Sequence, residues 1–286
     1  MIVNTLFFVA AIPFSAGVLA SLLLGKVNRQ ISVPGLLFHS VMPGTLLPNL
    51  SCYSTKNFEQ LITLLKNLNY QGVTVSSRDK KLTGKKPILL TFDDGFQCVE
   101  DYALPIIERF NFKTTIFCVT GFSGKKSSWD VYRHNRHLDN NAIRRIAENG
   151  HEIGSHTSSH AFLPYLNDTD LRTELETSKK ILEDITGCPV TSISFPFGGI
   201  NRRVWQCAQD VGYKYGTIYR DHKKNSFPDL FPVYGVYQFE SADSIVHKIN
   251  PRNYISVSRA VSVLLSHFSK GTPVWRLRDT YQNITY

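Results

Sequence analysis

Short apolar runs alternate with longer amphipathic stretches along most of the chain. Compact apolar and β-branched runs predict strands, and apolar residues that recur every three or four positions predict helices. Strands alternating with helices are typical of βαβ units, so we expect a mainly parallel sheet that is closed or nearly closed into a barrel. The predicted strands are 33–39, 87–92, 114–119, 151–155, 190–195 and 214–218, and the predicted helices are 58–68, 103–110, 140–149, 170–185 and 202–211.

The two ends of the chain depart from this α/β pattern. Residues 1–25 contain no Asp, Glu, Lys or Arg, and such a run can cross a hydrocarbon core of about 30 Å as a helix. Basic residues follow the run, at Lys26 and Arg29, and none precedes it, which favours a membrane anchor with the remaining chain on the cytoplasmic face. The alternative is a signal peptide cleaved near residues 18–20, which would make the protein secreted. Residues 251–286 are expected to form a C-terminal extension that is mainly helical.

Composition narrows the class of protein further. The chain has 286 residues, of which 42% are hydrophobic and 12% aromatic, so it can bury a large core and is not a disordered or collagenous chain. Its formal charge of +9 suits an anionic membrane face, an acidic glycan or nucleic acid. We do not expect a nucleic-acid partner, because the sequence contains no recognisable nucleic-acid reader motif. The five cysteines form no C-x-x-C pair, so they indicate neither a disulfide framework nor a thiolate zinc site.

Polar residues fall at the carboxyl ends of several predicted strands. His39 ends the first of these strands, Asp93 and Asp94 follow the second, and His156 follows the fourth. Residues 196–198 follow the fifth predicted strand in the same way. Because the carboxyl ends of parallel barrel strands meet on one face, we expect these groups to share one rim.

Two of these groups, with one more histidine, suggest a metal site. His156 and His160 are four residues apart, so a single helical turn would bring both imidazoles to one ion. Asp94 would add a carboxylate, and two histidines with one carboxylate leave open positions on a divalent ion for water and substrate. The structural alternatives are a surface pair of histidines and a turn or helix cap at residues 93–95.

The neighbouring aspartate can have a different task. Asp93 is aimed away from Asp94 and could take a proton from a metal-bound water. His39 could protonate the leaving group as a general acid, or it could be a buried structural histidine. The histidines at positions 134, 137, 222, 247 and 267 are not placed at strand ends, and we interpret them as structural.

Three motifs in succession resemble those of the polysaccharide deacetylases, the NodB-homology group of carbohydrate esterases. They are residues 91–95 (TFDDG), 156–160 (HTSSH) and 195–198 (FPFG), and residues 149–156 (NGHEIGSH) are similar to the family's usual approach to its second motif. Residues 37–39 (LFH) resemble an early motif of the branch that deacetylates poly-N-acetylglucosamine. The resemblance covers roughly residues 33 to 240.

The resemblance implies a distorted (β/α) barrel over residues 31–250 that holds Zn²⁺, or Co²⁺ or another divalent ion. It implies hydrolysis of N-acetyl groups on the amino sugars of a polysaccharide or glycolipid. Ser194 departs from the family pattern, which often has an arginine there to orient the catalytic aspartate, and Phe197 stands where tyrosine is common. The assignments that the resemblance implies are Asp93 as base, Asp94, His156 and His160 as metal ligands, Pro196, Phe197 and Gly198 as the wall of the substrate groove, and His39 as acid.

Three functions are therefore open from the sequence. The first is a metal-dependent N-deacetylase of an acetylated glycan or glycolipid. The second is a deacylase that removes an O-acetyl or formyl group from a lipid-linked sugar, which the apolar N-terminus and the basic body favour. The third is a glycan-binding module without catalytic activity.

Overall fold

The computed structural model describes residues 33–44, 50–78, 82–128, 135–219, 227 and 229–249. The predicted N-terminal segment 1–25 and the predicted C-terminal extension 251–286 both lie outside the described residues. Among the described residues, no helix combines the length and the hydropathy needed to cross a bilayer.

The described residues form a β/α succession with a few short turns between its elements. The strands are β1 Gly35–Phe38, β2 Ser40–Met42, β3 Cys52–Ser54, β4 Tyr70–Val73, β5 Lys86–Phe92, β6 Thr115–Cys118, β7 Glu152–Ser155, β8 Ser192–Ser194, β9 Tyr215–Tyr219 and β10 Leu230–Gly235. The α-helices are α1 Thr55–Asn67, α2 Leu104–Arg109, α3 Asn140–Glu148, α4 Asp168–Thr186, α5 Arg202–Val211 and α6 Ala242–Ile249. A π-helical turn, Val99–Ala103, precedes α2.

Every strand and helix predicted between residues 33 and 218 is present, with bounds that differ by a few residues. The strands β4 and β10, the helix α6 and the small β2–β3 pair were not predicted. Pro232 lies inside β10 and Gly72 inside β4, and both residue types weaken the sequence signal of a strand.

The large sheet closes on itself. β1 pairs with β10 on one side and with β5 on the other, and the order continues through β9, β8, β7 and β6 back to β5. All of these pairings are parallel. β4 pairs with the amino-terminal half of β5 and lies outside this seven-strand ring. The expected (β/α) barrel is therefore confirmed.

Alternate residues of the barrel strands enter two different apolar clusters. Leu36, Leu90 and Ile116 belong to the main core, together with the apolar faces of the surrounding helices. Leu89 and Phe117 belong to a smaller cluster on the other face of the sheet, inside the barrel. Because both faces are buried, the strands read as continuous apolar runs, which is why the sequence showed them clearly.

Side-chain caps fix where several helices begin. Ser54, Asp139, Asn167 and Asn201 each accept a hydrogen bond from a backbone N–H in the first turn of α1, α3, α4 and α5. These bonds satisfy donors that the helix itself leaves unpaired. Gly187 ends α4 in the left-handed conformation that suits glycine.

Candidate active site

Two candidate site residues continue the strand ladders by one position. Asp93 donates its backbone N–H to the Phe38 carbonyl at 3.0 Å, and His156 donates its backbone N–H to the Cys118 carbonyl at 2.9 Å. Their backbones are therefore held as firmly as the strands themselves. Both side chains lie buried at the carboxyl end of the barrel, which is the rim expected from the sequence.

The predicted metal ligands come together. One ligand atom each from Asp94, His156 and His160 lies within 4.8 Å of the other two. Asp94 Oδ1 is 3.3 Å from His160 Nε2 and 3.7 Å from His156 Nε2. All three side chains are buried, and such a cluster of nitrogen and oxygen donors fits a divalent ion with open coordination positions.

The orientation of one ligand is set by the backbone of a neighbouring strand. His156 Nδ1 lies 2.8 Å from the Ser194 carbonyl oxygen. Because a carbonyl oxygen only accepts, Nδ1 carries the proton and Nε2 keeps its lone pair for an ion. The donor set therefore fits a metal in chemistry as well as in spacing.

The segment that carries the two histidines is a loop, so the predicted single helical turn is wrong. Thr157 and His160 both have positive φ angles, 68° and 61°, and His160 donates its backbone N–H to Thr157 Oγ1 at 3.1 Å. The backbone N–H groups of Ser158 and Ser159 both donate to Glu174 Oε2 at 2.9 Å. The Glu174 carboxylate on α4 thus accepts both backbone N–H groups. The first turn of a helix would have left such N–H groups without an intrahelical partner. Sequence reasoning did not identify Glu174.

Asp93 is the buried carboxylate beside the ligands. Its Oδ2 accepts a hydrogen bond of 2.9 Å from Ser194 Oγ and lies 3.8 Å from His156 Nε2. Burial raises the pKa of Asp93 to about 7, while the bond from Ser194 acts in the opposite direction. A carboxylate with a pKa near the operating pH is well matched to general-base catalysis. The sequence showed only that Ser194 replaces an arginine and gave no sign of this contact.

His39 lies between β1 and β2 and is half-buried. Burial lowers its pKa to about 3, and the charge that a protonated His156 would carry lowers it further. His39 is therefore a neutral imidazole at pH 7, within electrostatic reach of the candidate metal ligand His156. Its role as an acid stays a prediction.

Residues Pro196–Gly198 form a short 3₁₀ turn after β8. The Phe197 ring meets the His160 ring edge-on, with 4.7 Å between ring centroids. Gly198 donates its N–H to the Phe195 carbonyl at 2.9 Å. The motif thus lies against the candidate metal ligand His160, and its contact with substrate stays a prediction.

Two further residues reach this rim. His137, interpreted from the sequence as a structural histidine, contacts the Asp94 carbonyl through Nδ1 at 2.7 Å. Tyr219 ends β9, and burial, Tyr237 and the charges of both aspartates raise its pKa well above the usual value. Its position at the end of a strand is the sequence signal that marks Tyr219 as a residue of the rim.

Comparison with known proteins points to one family. The family model described as polysaccharide deacetylase matches residues 80–216. YxkH of Bacillus subtilis is 30% identical over 197 residues, which cover 67% of this chain and 66% of that protein. A peptidoglycan-N-acetylglucosamine deacetylase of Bacillus cereus is 29% identical over 160 residues, 50% of this chain and 54% of that protein. The matches thus span roughly half to two thirds of these relatives.

Solved structures agree on the fold. The Streptococcus pyogenes deacetylase PplD, solved in complex with acetate, aligns with a TM-score of 0.67 at 21% identity, covering 77% of this chain and 99% of that one. IcaB from Ammonifex degensii aligns with a TM-score of 0.62 at 17% identity, covering 75% and 95%. The family model, the curated relatives and the barrel agree, and this chain belongs to the polysaccharide deacetylase family.

Proposed function

We propose that this protein is a metal-dependent hydrolase that removes N-acetyl groups from the amino sugars of a glycan. The observation that carries the proposal is the buried cluster of Asp94, His156 and His160, whose ligand atoms lie within 4.8 Å of one another. A separate carboxylate, Asp93, lies 3.8 Å from one of these ligands. This arrangement supports an ion site with a base beside it.

Asp94, His156 and His160 would hold the ion, which we propose to be Zn²⁺, with Co²⁺ as a substitute. Two imidazoles and one carboxylate suit either ion and leave room for other ligands. When bound, such an ion polarises a carbonyl oxygen and lowers the pKa of water.

Asp93 would take the proton from the attacking water. Its Oδ2 is held by Ser194, whereas Oδ1 is buried and accepts no hydrogen bond from the described residues. Oδ1 can therefore accept the bond from water while Oδ2 keeps the carboxylate in place. A pKa of about 7 lets the carboxylate be ionised and still be basic enough to hold the proton.

His39 would return a proton to the departing amine. In the resting site the imidazole is neutral, because burial lowers its pKa. As negative charge develops on the acetyl oxygen, the pKa of a nearby imidazole rises, since an opposite charge favours the protonated form. The imidazole would then take up the proton that Asp93 removed from the water and pass it to the nitrogen as the carbon–nitrogen bond breaks.

For the substrate, we propose a glycan that carries N-acetylglucosamine. Two Bacillus cereus relatives and a Listeria monocytogenes relative, at 26–30% identity, are named as peptidoglycan-N-acetylglucosamine deacetylases. The early histidine, His39, also supports a polymer of the poly-N-acetylglucosamine type. The net charge of +9 favours attraction to an acidic polymer.

The test is acetate release from N-acetylglucosamine oligomers by the purified chain loaded with Zn²⁺ or Co²⁺. We expect turnover that EDTA abolishes and that falls by a factor of at least about 10² in Asp93→Asn. Asp210→Asn, at an exposed position of α5, is the matched control and should keep wild-type activity. Turnover in EDTA, or an active Asp93→Asn variant, would contradict the mechanism, and release of ester acetate alone would favour an O-deacetylase.

A further inference from the structure

We propose that His137 is a positioning residue for the metal ligand Asp94 and that its ring N–H sets the affinity of the site for a divalent ion. The inference rests on the proposed function, because it assumes that Asp94 is a ligand. It adds a residue from a distant part of the chain, which lies outside the three motifs that resemble the family.

The contact is short and buried. His137 Nδ1 lies 2.7 Å from the Asp94 carbonyl oxygen, and His137 is 2% exposed. A carbonyl oxygen can only accept, so Nδ1 must carry the hydrogen, which fixes the tautomer of His137. In a buried setting, removing this donor would leave the carbonyl without its partner, which is costly.

The Asp94 carbonyl belongs to a turn with an unfavourable backbone conformation. Asp94 has a φ angle of 68° and Gly95 one of 63°, so two successive residues are left-handed. That conformation is unfavourable for a residue with a Cβ atom. A Cβ added at Gly95 would lie 2.9 Å from Cys118 Sγ, which shows how closely this turn packs on β6. The direction of the Asp94 carboxylate therefore depends on the contacts that keep this turn in the left-handed conformation.

The segment around His137 is itself fixed to the turn. Gln97 donates its N–H to the Arg136 carbonyl, and Leu138 donates its N–H to the Gly95 carbonyl, each at 2.8 Å. These bonds flank an antiparallel bridge between Phe96 and His137. They bring the imidazole to the Asp94 carbonyl as part of a short ladder.

Aromatic packing then prevents the imidazole from turning away. Ring centroids are 4.8 Å apart for Phe96 and His137, and 5.6 Å apart for Phe122 and His137. A ring confined in this way loses little further freedom when it makes its hydrogen bond. The packing therefore keeps His137 Nδ1 directed at the Asp94 carbonyl oxygen.

The experiment compares Co²⁺ binding among full-length variants by calorimetry and by the visible absorption of bound Co²⁺. His137→Phe keeps a ring between Phe96 and Phe122 and removes the donor, whereas His137→Asn places an amide N–H at the position of Nδ1. We expect His137→Phe to lose about 10–100-fold in affinity with an altered absorption band, and His137→Asn to stay near wild type. His247→Phe is the matched control, because His247 Nδ1 also lies 2.7 Å from a backbone carbonyl, but at an exposed position of helix α6.

Each outcome separates the inference from the proposed function. If the wild type fails to bind Co²⁺, the proposed function is overturned. If the wild type binds Co²⁺ and His137→Phe binds it equally well, or His137→Asn fails to recover the affinity, the inference is overturned. Should His137→Phe fail to fold, His137→Gln serves instead, since its amide at the ε position cannot replace the Nδ1 donor and must show the same loss.

Discussion

The Ser194 side chain donates a hydrogen bond to Asp93 Oδ2 at 2.9 Å, although 101 residues separate the two along the chain. The backbone carbonyl of Ser194 accepts the Nδ1 hydrogen of His156 at 2.8 Å. One residue of β8 thus supports the candidate base through its side chain and a candidate ligand through its main chain. The two functions can be separated by mutation.

Ser194→Ala should weaken the base and spare the ion site. The bond from Ser194 lowers the pKa of Asp93, which burial raises to about 7, so its loss moves that pKa higher. One hydrogen bond contributes about 1 kcal/mol, which corresponds to about one pKa unit. We expect the acid limb of the pH–rate profile to shift upward by up to about one unit, with several-fold less turnover at neutral pH.

Ser192→Ala is the control for this variant, because Ser192 is also buried and lies two residues earlier on the same strand. It should leave the profile unchanged. Co²⁺ affinity should be unaltered in both variants. An unshifted profile in Ser194→Ala would show that the contact does not tune the base.

Binding of an ion should stabilise the folded protein. A ligand that binds only the native state at about 100 times its dissociation constant adds about 2.7 kcal/mol of stability. Thermal unfolding should therefore shift upward on addition of Zn²⁺ and return to its starting point with EDTA. Asp94→Asn and His160→Gln should show little or no shift, and a full shift in either would exclude that side chain as a ligand.

Glu174→Ala should damage the loop that carries both histidines. Its carboxylate accepts two backbone N–H bonds at 2.9 Å, and bonds to a charged group contribute about 1.5–3 kcal/mol each. We expect Co²⁺ affinity to fall at least about tenfold. Glu176→Ala, which removes an exposed carboxylate paired with Arg172 on the same helix, should have no effect. Equal affinity in Glu174→Ala and Glu176→Ala would mean that the loop holds its shape without Glu174.

Asp93→Asn should make the metal-free protein more stable while it abolishes turnover. The pKa of Asp93 rises on folding from 3.8 to about 7, so the folded state binds more protons than the unfolded state between these values. Stability is therefore lost as the pH rises through this window, and the full loss is present above it. An asparagine, which cannot ionise, avoids a penalty on the order of a few kcal/mol.

Urea unfolding in EDTA would measure this difference. The advantage of Asp93→Asn over wild type should be large at about pH 8 and smaller at about pH 5. An advantage that does not change with pH would indicate an effect of packing and would contradict a raised pKa at Asp93.

The sequence was sufficient to locate the rim of the site. Asp93, Asp94 and His156 each follow an apolar run directly, and a parallel barrel places all such positions on one face. That inference requires only the ends of the strands, which apolar patterning marks well. The family motifs then predicted which of these residues are metal ligands and which is the base.

The local geometry could not be read in the same way. The loop around Thr157 bends through positive φ angles because the Glu174 carboxylate holds its backbone, and that carboxylate belongs to a later helix. Ser194 reaches Asp93 only because two strands far apart in sequence end at the same rim. Such contacts depend on the folded arrangement of distant segments, and nothing local in the sequence marks them.

The closure of the barrel by β1 has a practical consequence for constructing shorter versions of the chain. The family model begins at residue 80, whereas β1, Gly35–Phe38, supplies the pairing that joins β10 to β5. A protein trimmed to the matched segment would also lose β10 and most of β9, and its open sheet would have unprotected strand edges, which recruit other chains and promote aggregation. Poor solubility of such a fragment would reflect the unpaired strands of the opened barrel and not a defect in its candidate catalytic residues.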